Sequence, residues 1–195
     1  AEAWLGLSQC HFYIGEKNGD IQEFKKSEEA LLKLNELKLD QKSTINKTKV
    51  EYNLWIKTIN LGIDNLQKFA KSKSKADFDN SMAAFQIADN VRPKHEATSK
   101  YMAMLYGQNK QYDKAENLAL SITQKYPMHN YAWKILAAVL EQSKRVPEAL
   151  IANQNALKID PRDPEVHLCL GNNLGHLEKR KDAELSYKKA IEIKP

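Results

Sequence analysis

The 195 residues are 42% hydrophobic and 28% charged, an ordinary globular balance that excludes a disordered or collagen-like chain. Lys plus Arg exceed Asp plus Glu by five, a modest positive balance whose placement matters more than its size. Gly and Pro together make about 7% of the chain against roughly 12% in soluble proteins, which favours helices over a β-sandwich. Four of the six prolines, Pro93, Pro127, Pro161 and Pro195, recur every 34 residues.

Taking each of these prolines as position 32 of a unit gives a register for the elements in chain order. Residues 1–40 read as a divergent first repeat: Trp4 and Leu7 suit the start of a unit, but the small second-helix residue of the later units is missing and the spacing slips. Residues 43–95 read as an expanded second repeat. Its apolar residues Ile45, Tyr52, Trp55, Ile56, Ile59, Ile63, Leu66 and Ala70 form one helical stripe over 43–74. With Leu61 and Gly62 at positions 7 and 8, Gly62 lies 19 residues before Ser81 where the later units need 12. Seven extra residues are about two turns, so the helix lengthens without rotating its apolar face and is expected to project past the stack.

Residues 96–129, 130–163 and 164–195 keep the register closely. Position 8 reads Ala103, Ala137 and Gly171, position 20 reads Ser81, Ala115, Ala149 and Ala183, and position 27 reads Ala88, Ile122, Ala156 and Ala190. A helix carrying positions 7 and 8 approaches a second helix carrying position 20 only where both side chains are small. The proline then ends the second helix by disfavouring helical geometry in the residue before it. The pattern resembles the tetratricopeptide repeat family, best between Tyr131 and Pro161 through Trp133, Leu136, Ala137, Ala149 and Ala156. The resemblance implies an all-α, right-handed superhelical solenoid of stacked antiparallel helix pairs, forming a single domain over 1–195.

It also implies a binding groove lined by first helices at positions 2, 5, 9 and 13. Those positions hold Ala97, Lys100, Met104 and Gln108, then Tyr131, Lys134, Ala138 and Gln142, then Glu165, Leu168, Asn172 and His176. The mixture of apolar, neutral polar and lysine side chains suits an extended or helical peptide with some acidic character. Lys100, Met104, Tyr131, Lys134, Ala138, Glu165, Leu168, Asn172 and His176 are the candidate peptide-binding residues. Family members that clamp a C-terminal carboxylate place Lys, Asn, Asn, Lys and Arg where this sequence has Lys100, Met104, Ile135, Glu165 and Cys169, and one match in five argues against that ligand. The asparagine ladder of sugar-transferring members is absent, since position 6 reads Tyr101, Ile135 and Cys169.

Phosphate-loop, dinucleotide, zinc-protease and nucleophile-elbow motifs are missing, and His11, His95, His129, His167 and His176 have no metal-ligand spacing, so neither an enzyme activity nor a cofactor or metal is expected. The expected function is a protein-binding scaffold. The alternative is the repeat region of a larger glycosyltransferase or sulfotransferase, because the wording of the last two units resembles bacterial arrays that precede such domains, and the chain begins without Met and stops at a repeat end, Pro195. Residues 41–75 carry a net +6, leaving the rest near neutral, and Lys71, Lys73 and Lys75 at the end of the long helix are the candidate contact for an acidic partner. Nucleic acid is disfavoured because no aromatic residue interleaves with that run. Cys10 and Cys169 imply no disulfide framework, the Asn46-Lys47-Thr48 sequon lacks a visible secretory signal, no run spans a membrane, and a cytoplasmic location is expected.

Overall fold

Capping residues fix where several of the helices start. Asp20, Asp40, Ser74 and Asp163 each accept a backbone N–H from the first turn that follows, and Pro147 and Pro164 sit in first turns where a missing N–H is harmless. The computed structural model describes residues 1–194 and contains ten α-helices with, among the described residues, no strand. They are α1 (Glu2–Asn18), α2 (Ile21–Asn35), α3 (Gln41–Ser72), α4 (Lys75–Val91), α5 (Glu96–Gln108), α6 (Tyr112–Lys125), α7 (Asn130–Gln142), α8 (Val146–Ile159), α9 (Pro164–His176) and α10 (Arg180–Ile193). The expected closing role of Pro195 lies outside the described residues. The chain divides into two compact units, Ala1–Tyr101 and the part from Met102 onward.

The first unit corrects the reading of residues 1–40. Ser8 and Ser27, both fully buried, donate to each other's backbone carbonyls at 3.0 and 2.9 Å, and Ser81 donates to the Gly62 carbonyl at 2.8 Å. Both pairs are 19 residues apart. Ser8 and Ser27 therefore hold the places of Gly62 and Ser81, and the first hairpin is not slipped but lengthened in the same way as the second. In both, the first helix ends ten residues after the small residue, a two-residue turn follows with its first residue in the left-handed region (Gly19 φ 66°, Lys73 φ 54°), and the second helix starts on a capping residue, Asp20 or Ser74. At the far end Gly15 lies against the Phe24 ring, where the second hairpin packs Phe69 edge-on to Phe78 at 5.6 Å.

The long α3 forms over 41–72, two residues earlier at each end than the sequence suggests, and from Val50 onward it is packed into the first unit. Its Val50 and Leu54 join Leu5, Phe12, Phe24, Leu31, Leu34 and Ile87 in one core, so these turns are packed against α1 and α2, while 41–49 hold no buried residue. Lys57 also pairs with Glu16 of α1 at 2.6 Å.

In the second unit each hairpin turns through three residues, the middle one in the left-handed region: Lys110 (φ 58°), Lys144 (φ 62°) and Glu178 (φ 60°). The same two backbone bonds close each turn, from Lys110 to Gly107 and Gln111 to Tyr106, and again 34 and 68 residues later. The core runs through Ala103, Ala115, Ala119, Ile122, Ala132, Ile135, Leu136 and the residues that follow to Ala152. Position 4 also repeats a contact: the Trp133 indole N–H donates to the Pro127 carbonyl at 3.0 Å, and His167 Nε2 reaches the Pro161 carbonyl at 2.9 Å, which fixes the proton on Nε2 because a carbonyl only accepts. His167 is thus a structural residue of the turn.

Glycine matters where a ring lies directly on the helix. A Cβ at Gly62 would run into Phe85, which is fully buried and stacked on Tyr101 at 6.0 Å and 8°, and a Cβ at Gly171 would come 2.5 Å from the half-buried Tyr187 ring. Gly62→Ala is expected to destabilise by about 1–3 kcal/mol through overpacking, even after the ~1 kcal/mol that alanine adds within a helix. Gly171→Ala is expected to fall within about 0.5 kcal/mol of neutral, since its ring can yield. Denaturant unfolding of the two variants measures this ordering.

Candidate functional site

The sequence-predicted groove residues distribute over three first helices. Lys100 is exposed on the part of α5 that belongs to the first unit, and Met104 is half-buried on the part that belongs to the second. Tyr131, Lys134 and Ala138 lie on α7, and Glu165, Leu168, Asn172 and His176 on α9, all within the second unit. Ala138, Asn172 and His176 are exposed and Leu168 is 49% exposed, so the apolar and neutral members of the set do face solvent.

Of the charged members, Lys134 and Glu165 do not stand free. Lys134 Nζ sits 3.0 Å from Asp163 Oδ2 and 2.5 Å from Glu165 Oε2, and these two carboxylates raise its pKa against the lowering effect of burial. The cationic point expected at Lys134 is therefore offset by two carboxylates. Asp163, buried at the start of α9, also accepts from Asn130 Nδ2 at 2.9 Å and caps the N–H groups of Glu165 and Val166. Burial raises its pKa, but Lys134 and the α9 N–H groups outweigh that and hold the carboxyl below the usual aspartate value. One carboxylate thus joins the start of α7 to the start of α9. Sequence reasoning missed Asp163, although an aspartate directly before Pro164 is a readable helix-start signal.

Tyr131 is packed into a ring group with His129 at 5.4 Å and Tyr126 at 6.2 Å. Asn172 Oδ1 accepts from the Tyr187 hydroxyl at 2.9 Å, which orients the carboxamide and leaves its Nδ2 to donate elsewhere. Beneath this face lies a polar seam. Asn153 and Asn173, each 1% exposed, have unpartnered Nδ2 atoms, and Glu141 has an unpartnered buried Oε1. Burial raises the Glu141 pKa, partly offset by the neighbouring Asn173 and Asn153 amides. The same burial, with Glu141 next, pushes the Cys169 thiol up to about 11, so it is no nucleophile at neutral pH.

The lysine-rich run is not the end of one helix. Lys71 lies in the last turn of α3, Lys73 is in the turn with its ammonium 5.3 Å from the Phe69 ring centroid, and Lys75 opens α4. The intervening serines are turn groups: Ser72 donates to Asp77 and Ser74 caps α4. Among the described residues no three His, Cys, Asp or Glu side chains converge to hold a metal, both cysteines are free, and no helix is long and apolar enough to cross a membrane.

A tetratricopeptide repeat family model matches residues 102–164, the stretch holding α6, α7 and α8. Over those residues the chain is similar to the tetratricopeptide repeat family. No curated protein matches it by sequence. Among solved structures it is similar to a MamA segment from Desulfovibrio magneticus RS-1, with 18% identity, 97% of this chain and 94% of that one covered, and a TM-score of 0.59. It is similar also to MamA of strain AMB-1, with 14% identity, 99% of each chain covered and a TM-score of 0.55. A thermophilic repeat protein of Thermus thermophilus shows 17% identity, 68% of this chain and 74% of that one covered, and a TM-score of 0.55. These likenesses carry the fold alone, that of stacked helix pairs.

The two carboxylates of this tetratricopeptide repeat segment act in opposite directions on stability. Asp163, with its lowered pKa, stabilises above the unfolded aspartate value near ~3.9 and loses that contribution as pH falls through its folded value. Asp163→Ala is expected to cost about 2–4 kcal/mol at pH 7, because a cap is lost and Lys134 is left without its buried partner. Glu141, with its raised pKa, stabilises below the unfolded glutamate value near ~4.3 and loses stability as pH rises toward its folded value. Glu141→Gln is expected to raise stability at pH 7 by on the order of 1 kcal/mol, the difference closing near pH 4. Urea titrations of both variants across pH 4–8 measure the two signs.

Proposed function

We propose that the chain is a non-catalytic scaffold that holds a peptide or protein segment on the first-helix face of α7 and α9. The observation that carries this reading is a solvent-facing strip of Ala138, Leu168 and Asn172, which share that face by register, beside the locked Lys134–Asp163–Glu165 group. Ala138 keeps the surface low, Leu168 offers an apolar contact, and Asn172, oriented by Tyr187, can donate to a backbone carbonyl of the bound segment. The ligand this chemistry suits is uncharged along the strip, with apolar side chains and an accessible backbone. Acidic residues are not required, because Lys134 already serves two carboxylates.

A short-peptide library displayed on phage and selected against the full chain supplies the probes. Ala138→Glu and Leu168→Asp are expected to weaken the selected peptides by more than tenfold, and Asn172→Ala by about tenfold, the worth of one well-placed hydrogen bond. Isothermal titration with the synthesised peptides reads these changes. If all three variants keep the parent affinity, the first-helix face is not the binding surface.

A further inference from the structure

The second unit has another concavity, on the other side of α7. Its floor is Trp133, Leu136 and Leu140, and its walls are α6 and α8, which contribute Leu120 and Ile151. Positions 133, 136 and 140 point away from 134 and 138 at 3.6 residues per turn, so this cleft and the first-helix face lie on opposite sides of one helix. Leu120 is 38% and Ile151 57% exposed, and the Trp133 indole is held in place by its bond to the Pro127 carbonyl. At about 220 Å³ the cleft is smaller than the roughly 300–1,000 Å³ of small-molecule sites and has the size of an anchor pocket for one large side chain.

The rim supplies a charge preference. Arg145 is bound by both oxygens of Glu116, at 2.8 and 2.7 Å, and by Glu148 at 3.0 Å, so one guanidinium meets two carboxylates and the rim keeps a net negative charge. Glu148 is half exposed and its carboxyl stays ionised, since Arg145 lowers its pKa. The corresponding places one repeat later hold Gln154, His167 and Lys189 in place of Leu120, Trp133 and Asn155, so the combination of apolar floor and acidic rim belongs to α6, α7 and α8 alone in this unit.

We propose that this cleft is a second docking site, taking one large aliphatic side chain of a protein segment that carries Lys or Arg beside it. The apolar anchor fills the space between Leu120 and Ile151 over Trp133, and the basic residue meets Glu148. This site is independent of the first-helix reading, and its charge preference is its own.

The probe is an amphipathic helical peptide of leucine and lysine, compared with the same peptide in which glutamate replaces lysine, each titrated into the isotopically labelled full chain. The leucine–lysine peptide is expected to shift the Trp133 indole and the Leu120 and Ile151 amide resonances, and to bind about tenfold more tightly than the glutamate form. Ile151→Asp, at an exposed position that the core does not need, should weaken it more than tenfold. Glu148→Lys should cost about fivefold, the scale of an exposed ion pair, while Leu168→Asp leaves binding unchanged. Shifts confined to α9 and the far side of α7, equal binding of the two peptides, or cleft resonances that move with protein concentration alone, which marks a second copy as the occupant, would each overturn the proposal.

Discussion

Helix pairs can close only where two small residues face each other, and every hairpin of this chain depends on one such pair. Ser8 with Ser27, Gly62 with Ser81, Ala103 with Ala115, Ala137 with Ala149 and Gly171 with Ala183 are all buried. The two serine-bearing pairs add hydrogen bonds to carbonyls of the facing helix, so a hydroxyl takes the place of alanine without leaving a polar group unsatisfied. A larger side chain at any of these places would separate the helices along their whole length, because an approach fixed at one level sets the spacing at the others.

Volume one turn further along the second helix compensates for what the small pair leaves open. Where position 8 is glycine, a ring covers it: Phe85 over Gly62 and Tyr187 over Gly171. Where position 8 is alanine, the covering residue is small, Ala119 in one hairpin and Asn153 in the next. Asn153 brings an amide into a place that elsewhere holds a ring, and Glu141 and Asn173 fall beside it. The polar seam of the second unit thus includes a polar group at a packing position, and burial raises the Glu141 pKa there while the Asn173 and Asn153 amides partly offset it.

The regular units were legible in the sequence because their signals are steric and periodic: small residues at fixed spacing and a proline at each end. The first hairpin was hidden by the same logic, since Ser27 stands where alanine was sought and lies 19 residues from Ser8 instead of 12. The long α3 was predicted within two residues at each end, but its relation to the first hairpin was not, because apolar periodicity states that a face is buried without saying against what. The hairpin turns of the second unit carried no glycine signal, as Lys110, Lys144 and Glu178 adopt left-handed geometry where glycine would be the usual choice. At the candidate site the positions were readable from register and the charges were not. Lys134 reads as a free cation in one dimension and becomes one member of a three-residue ion group only when the start of α9 is folded beside it.

That ion group and the polar seam divide α9 between them. At its start, Asp163 satisfies the first-turn N–H groups and binds Asn130 and Lys134 of α7, so the two helices are joined by charge-assisted bonds. Toward its end, Asn173 lies buried with an unpartnered amide beside Asn153 and Glu141, which opposes close packing at that level. The exposed Leu168 and Asn172 sit between the charge-bonded start of α9 and this polar level. A segment bound across them would cover side chains that the helix pairs leave exposed, without disturbing the bonds that join α9 to α7.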